Sequence, residues 1–166
     1  MTFGTRFFAG FVLLVSAAVL GSALASQYWG GLAPCELCLY QRGPWAIAIV
    51  AALVALLAGG PRALPWLALL FCVVFACGAV LACYHVAVEH HWIAGPTSCT
   101  ASGGAGAANV EDLKRQILGT APVLCDRVAF SLFDISMAGW NAIASIMMAG
   151  ICGTVFAQSR PRRSAA

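Results

Sequence analysis

Charge is what this sequence has least of. Only 9% of its 166 residues are Asp, Glu, Lys or Arg, against 61% hydrophobic, whereas a soluble domain carries roughly 25% charged residues. That scarcity excludes an ordinary soluble globule, a disordered chain and a coiled coil. A basic stripe is also missing: the formal balance of +3 comes from nine basic and six acidic residues scattered along the chain, so nucleic-acid binding has no support. There is no internal repeat either.

What remains is apolar and sharply segmented. Four windows contain no charge at all, residues 7–35, 43–61, 63–88 and 135–159, and a bilayer-spanning helix needs about 20 mostly apolar residues. The pattern predicts an all-α membrane protein, a single integral membrane domain over 1–166, built as a four-transmembrane-helix bundle. The expected spans are 7–26, 43–58, 64–88 and 135–157. In that arrangement Arg6, Arg62, Arg160, Arg162 and Arg163 share one side, and all six acids the other with Arg42, Lys114, Arg115 and Arg127, five basic residues against four. The five arginines sit in short tails and one tight turn, where the positive-inside rule applies best. Both termini and the turn at Gly59–Ala63 are therefore expected in the cytoplasm, and the loops 27–42 and 89–134 outside. Arg6, the run Phe7–Leu20 and Ala23-Leu24-Ala25 also resemble a cleavable secretory signal. The apolar stretch outlasts a normal signal, however, and cleavage would leave the first loop on the outer side.

Gly43-Pro44 predicts a kink or a fresh helix start in the second span, and Gly59-Gly60-Pro61 is a clear stop. Asp134 is the expected N-cap of the fourth span. The second outer loop is the one sizeable polar segment. It holds a flexible tract, Ser102–Gly106, and then a short amphipathic helical pattern with Asn109 as cap and Val110, Leu113 and Ile117 on one face. That helix could lie on the membrane surface or pack on the bundle.

Eight cysteines carry the chemistry. Cys72, Cys77, Cys83 and Cys152 fall inside spans and read as small apolar residues. Cys35 and Cys38 form a C-x-x-C in the first outer loop, and Cys99 and Cys125 flank the flexible second loop. Outside the bacterial cytoplasm such pairs can be oxidised. Two structural disulfides are one reading. A bridge closing so short a loop removes little chain entropy and is a poor staple, whereas C-x-x-C is typical of redox-active dithiols. The wider pair can be a staple or a redox couple. A four-cysteine zinc site would show two C-x-x-C knuckles, which the second pair does not form, so no metal is expected. Haem attachment needs a histidine after the second cysteine, and Leu39 stands there.

Pro34 suits the first turn of a helix, which would put both sulfurs at its partially positive end, favouring thiolate. Cys35, Cys38 and Arg42 then share a face. A cation so placed can stabilise a thiolate or an anion developing on a nearby acceptor; the plainer role is an arginine snorkelling to the interface.

These residues resemble the DsbB disulfide bond formation family of the bacterial inner membrane. The likeness rests on the run Pro34-Cys35-Glu36-Leu37-Cys38-Leu39-Tyr40-Gln41-Arg42, on Glu89-His90 closing the third span, on Cys99 and Cys125, and on Met137-Ala138-Gly139-Trp140 opening the fourth. It covers essentially the whole chain in order. It implies a catalytic relay in the periplasm. A soluble thioredoxin-fold thiol oxidant, DsbA, would attack Cys99. Cys125 is the loop mate of Cys99, and the Cys99–Cys125 pair would be reoxidised by Cys35–Cys38. The electrons would pass to a membrane quinone, ubiquinone or menaquinone. By the same likeness Cys38 lies against the quinone ring, Arg42 supports quinone binding and His90 sits near that site.

The energetics agree. DsbA is strongly oxidising, at about −120 mV, and about 30 mV is worth roughly 1.4 kcal/mol for two electrons. Its reoxidation therefore wants a stronger acceptor, and a lipid-soluble quinone explains a dithiol mounted at a membrane-embedded helix end. The Ser102–Gly106 tract would let the loop pair move between partner and Cys35. Two other functions compete: a four-span scaffold with two structural disulfides, and a related thiol oxidase with a dedicated client. Vitamin K epoxide reductase-like proteins share four spans and quinone chemistry, but their C-x-x-C is expected at a later span.

Overall fold

The computed structural model of the chain describes residues 2–96 and 124–160. Cys99, the Ser102–Gly106 tract, the helical pattern after Asn109, Arg162 and Arg163 lie outside them. Four helices, α1 (Thr2–Tyr28), α2 (Glu36–Ala58), α3 (Leu64–Glu89) and α4 (Met137–Ser159), are joined by a 3₁₀ turn at Pro61–Ala63 and a small hairpin before α4. All four are long and apolar enough to cross a membrane. At 1.5 Å per residue, the 23-residue α2 and α4 reach about 35 Å, enough for a hydrocarbon core of about 30 Å. α3 packs most extensively on α4, α1 on α2, and the α2–α3 contact joins the two pairs.

The core follows from small residues that let large ones interlock. Phe8 and Val12 of α1, Trp45, Ala48 and Ala52 of α2, Ala68, Phe71 and Phe75 of α3 and Met148 and Cys152 of α4 form one buried cluster. Phe71 meets Phe8 edge-on at 6.0 Å, and Trp45 lies 5.0 Å from Phe75. Offset and edge-on aromatic pairs add to simple burial. Cys152 serves there as the small apolar residue expected. Cys77 and Cys83 face outward from the bundle.

Three boundaries differ from expectation. The second helix does not start afresh at Gly43-Pro44; it begins at Glu36 and runs unbroken through Pro44. Proline forfeits one bond, to the Tyr40 carbonyl, and its ring needs room. On its outer side the ring packs against Gly78 of α3: a Cβ built there would stand 3.3 Å from Pro44 Cβ and 3.5 Å from Ser145 Oγ. Glycine at 78 thus lets three helices meet around the proline. Secondly, Pro34 lies outside α2, and Cys35 is its N-cap, with Sγ accepting from the Cys38 N–H at 3.2 Å.

Thirdly, the cap of α4 is Ser136, not Asp134. Strands β1 (Ser131–Leu132) and β2 (Ile135–Ser136) pair antiparallel around Phe133 and Asp134, whose φ values of 53° and 60° are both left-handed. That is the geometry of a two-residue hairpin turn of matching twist. Asp134 is consumed by the turn, and Ser136, in extended conformation, reaches the helix end, with Oγ accepting from Gly139 N at 3.0 Å. Gly139 fits closely here, because a Cβ there would lie 2.8 Å from Ile135 Cγ2 and force that side chain to shift.

Candidate functional site

At the Cys35 end of α2 the helices enclose a cavity of about 340 Å³. Its apolar wall comes from Val19, Leu20 and Ala23 of α1 and Met137, Ala138 and Ala144 of α4; Cys35, Cys38, Gln41, Arg42, Trp45, His85, Glu89 and Asn141 supply the chemistry. Cys35 and Cys38 are both free thiols, with the Cys35 S–H donating to Cys38 Sγ at 2.9 Å. The Cys35 thiol is pushed up from its ordinary value of 9.0 by that hydrogen bond first, then by burial and by the charge on Cys38. Arg42 Nη1 donates to Gln27 Oε1, at the end of α1, at 2.6 Å. This places the guanidinium on the cavity wall beside the dithiol.

Cys125 is fully buried and disulfide-bonded. It packs in one apolar cluster with Cys35, Leu37 and Val88, against which Cys38, Leu81 and Tyr84 also rest. The structure therefore brings Cys35, Cys38, Arg42 and Cys125 together. Cys99 lies outside the described residues. His90 is not brought in. It caps α3, is exposed, stacks on Trp92 at 5.0 Å and does not line the cavity.

The histidine at the dithiol is His85, one helical turn earlier. It is 2% exposed, with Nε2 3.6 Å from Cys35 Sγ and Nδ1 2.6 Å from Gln41 Nε2. Asn141 Nδ2 donates to Gln41 Oε1 at 2.6 Å and Trp45 Nε1 to Asn141 Oδ1 at 2.7 Å. Glu89 Oε1 stands 4.0 Å from His85 Nε2, and Glu89 Oε2 accepts from the Ser136 hydroxyl at 2.5 Å. The sequence does hold a signal for these residues. An ionisable or amide side chain inside an apolar span is expensive, faces the bundle interior and marks a functional site by default. His85 sits in the charge-free window 63–88. Glu89 closes that window, and His85 and Glu89 are one turn apart on α3 and so share a face.

Four spanning helices with a dithiol lining an apolar cavity, and a disulfide-bonded cysteine packed beside it, define a multi-pass membrane thiol–disulfide protein. The family model described as "Disulfide bond formation protein DsbB" matches residues 5–155, and the chain belongs to that family. Membership assigns it to disulfide bond formation by thiol oxidation. The chain is also similar to an uncharacterized protein of Rickettsia prowazekii (strain Madrid E), at 22% identity over 145 residues, covering 87% of this chain and 83% of that protein. No solved structure matches it.

Proposed function

We propose that the protein reoxidises a periplasmic DsbA-like thiol oxidant and delivers the electrons to a membrane quinone. The observation that carries this reading is the cavity of about 340 Å³ whose wall includes Cys38 and Arg42. Small-molecule sites are mostly apolar concavities of about 300–1,000 Å³ with a few convergent polar groups, and this one meets that description. A quinone ring fits its donor set. Val19, Leu20, Met137 and Ala144 would hold the ring and the start of its tail, Arg42 would donate to a ring carbonyl, and Cys38 would face the ring. When bound, a quinone supplies an acceptor for two electrons and two protons.

The protein's own part is thiol–disulfide exchange. The partner's two thiols reduce the loop couple, read as Cys99–Cys125, and become a disulfide. The loop thiols in turn reduce a Cys35–Cys38 disulfide, through a crossed Cys35–Cys125 bridge. The shared buried cluster of Cys35 and Cys125 supports that bridge. Both termini and the turn after α2 are taken as cytoplasmic and the redox loops as periplasmic, in accord with the arginine distribution.

The test is anaerobic quinone reduction by the purified protein in lipid with a reduced DsbA-like partner, each of Cys35, Cys38, Cys99 and Cys125 changed in turn to Ser. Turnover should vanish in all four. Persistence of quinone reduction in Cys38→Ser would refute the reading.

A further inference from the structure

The polar chain beneath the dithiol has a direction. The indole of Trp45 can only donate, so the Asn141 atom it meets at 2.7 Å is the amide oxygen. That leaves the Asn141 amide nitrogen to donate to Gln41 Oε1 at 2.6 Å. Gln41 then has only its own nitrogen to offer His85 Nδ1, also at 2.6 Å. Each link fixes the next, and turning any one amide would set donor against donor. His85 Nδ1 is therefore an acceptor, and the neutral imidazole carries its hydrogen on Nε2, 3.6 Å from Cys35 Sγ. The Cys125 backbone lies near the same ring.

This direction decides between two uses of one cluster. The ligand atoms of Cys35, Cys38 and His85 all lie within 4.8 Å of one another, a spacing at which cysteine and histidine commonly hold zinc-like ions. A cation approaching Nε2, however, would meet a hydrogen where it needs a lone pair.

We propose that Trp45, Asn141 and Gln41 are a positioning relay that locks His85 in the Nε2–H form, making the imidazole a fixed donor to the Cys35 sulfur and withholding from soft cations the lone pair they would bind. The proposal rests on the reading of Cys35–Cys38 as the redox dithiol.

Its role falls in the resolution of the crossed bridge. The thiolate of the second loop cysteine attacks Cys125 and forms the loop disulfide. The Cys35–Cys125 bond breaks, and its electron pair leaves on Cys35 as thiolate. The Nε2–H group stabilises that anion until it takes up the proton released by the attacking thiol. Nothing is consumed: two electrons and two protons pass from the loop pair to the helix pair, and the imidazole keeps its own hydrogen.

The deciding measurement is nitrogen NMR of the reduced, full-length protein in lipid, labelled with ¹⁵N-histidine, with the His85 signals assigned by their loss in His85→Phe. The expected result is a protonated Nε2 and a bare Nδ1. A protonated Nδ1 in the wild-type protein overturns the relay whatever the protein's turnover. Gln41→Glu replaces the donor by an acceptor and should move the hydrogen to Nδ1. The freed Nε2 should then let reduced Gln41→Glu bind Co²⁺ with a thiolate-to-cobalt absorption that wild type lacks; equal cobalt binding by wild type overturns the proposal. Resolution of the crossed bridge should slow roughly tenfold in Gln41→Glu, the loss of about one hydrogen bond, and an unchanged rate with a reversed tautomer overturns the catalytic half. Trp45→Phe, which keeps the packing and frees the Asn141 amide, should give a mixture of tautomers if Gln41→Glu does not fold. A protein that fails to reduce quinone yet shows the Nε2–H form would sink the functional reading and leave the relay standing.

Discussion

Replacing Arg42 by Met should separate quinone binding from the exchange between cysteine pairs. Arg42 is half-buried on the cavity wall, and Gln27 takes one of its donors at 2.6 Å. A guanidinium has five N–H groups in a fixed fork, so others remain for an acceptor in the cavity. A hydrogen bond from a charged group contributes about 1.5–3 kcal/mol, and Met keeps the length and apolar stem while removing it. The KM for quinone should therefore rise roughly 10- to 150-fold, with the rate of Cys35–Cys125 exchange nearly unchanged. The assay is steady-state quinone reduction in proteoliposomes over a range of quinone content, beside single-turnover disulfide mapping of the same variant. Gln27→Leu should raise KM less, because it only frees the arginine to wander. The double variant should be no worse than Arg42→Met alone, because Gln27 acts through Arg42 and coupled residues are not additive. An unchanged KM in Arg42→Met, or an equal loss of exchange and quinone reduction, would refute the placement.

Gly78→Leu should cost about 1–3 kcal/mol by overpacking against Pro44 and Ser145 and should disturb turnover through Gln41 and Arg42 on the same helix. Unfolding in mixed detergent and an activity assay would measure this, and full stability would contradict the close approach at 3.3 Å. Ser136→Ala removes the α4 cap and the bond to Glu89. The cap alone is worth about 1 kcal/mol and the buried carboxylate bond about 1–3 more, so unfolding free energy should fall by roughly their sum; Ser136→Thr should restore most of it. Cys35 gives a pH signature in the reduced protein. Its thiol holds its proton more tightly folded than unfolded, above the ordinary value of 9.0. Its contribution is thus fully present below that value and is lost as pH rises beyond it. Stability measured across that range should decline, and Cys35→Ser should flatten the decline; a profile that climbs with pH would contradict the hydrogen bond to Cys38.

The sequence alone determined the architecture. Length of apolar run and absence of charge leave a chain no structure but spanning helices, because backbone polar groups in hydrocarbon must be satisfied internally. The four windows accordingly became four helices, and the order of cysteines around Pro34–Arg42 carried the family. Local signals failed where a neighbour supplied the missing term. Pro44 stays inside α2, where its ring packs closely on Gly78 of another helix, and Asp134 yields the cap to Ser136 because the hairpin takes Asp134 for its turn.

That Cys35, Cys38 and Arg42 share one wall was legible in the sequence, and that His85 joins them was not. Glu89-His90 marks the end of α3, but His90 emerges past the last turn onto Trp92, while His85 points inward. Which histidine meets Cys35, and which of its nitrogens bears the hydrogen, depends on residues 41, 45 and 141, up to 100 positions apart along the chain. A spacing rule sees one helix at a time. Only the packing of α2, α3 and α4 against one another brings Trp45, Asn141, Gln41 and His85 into line, and a hydrogen-bond direction exists only once all four are in contact.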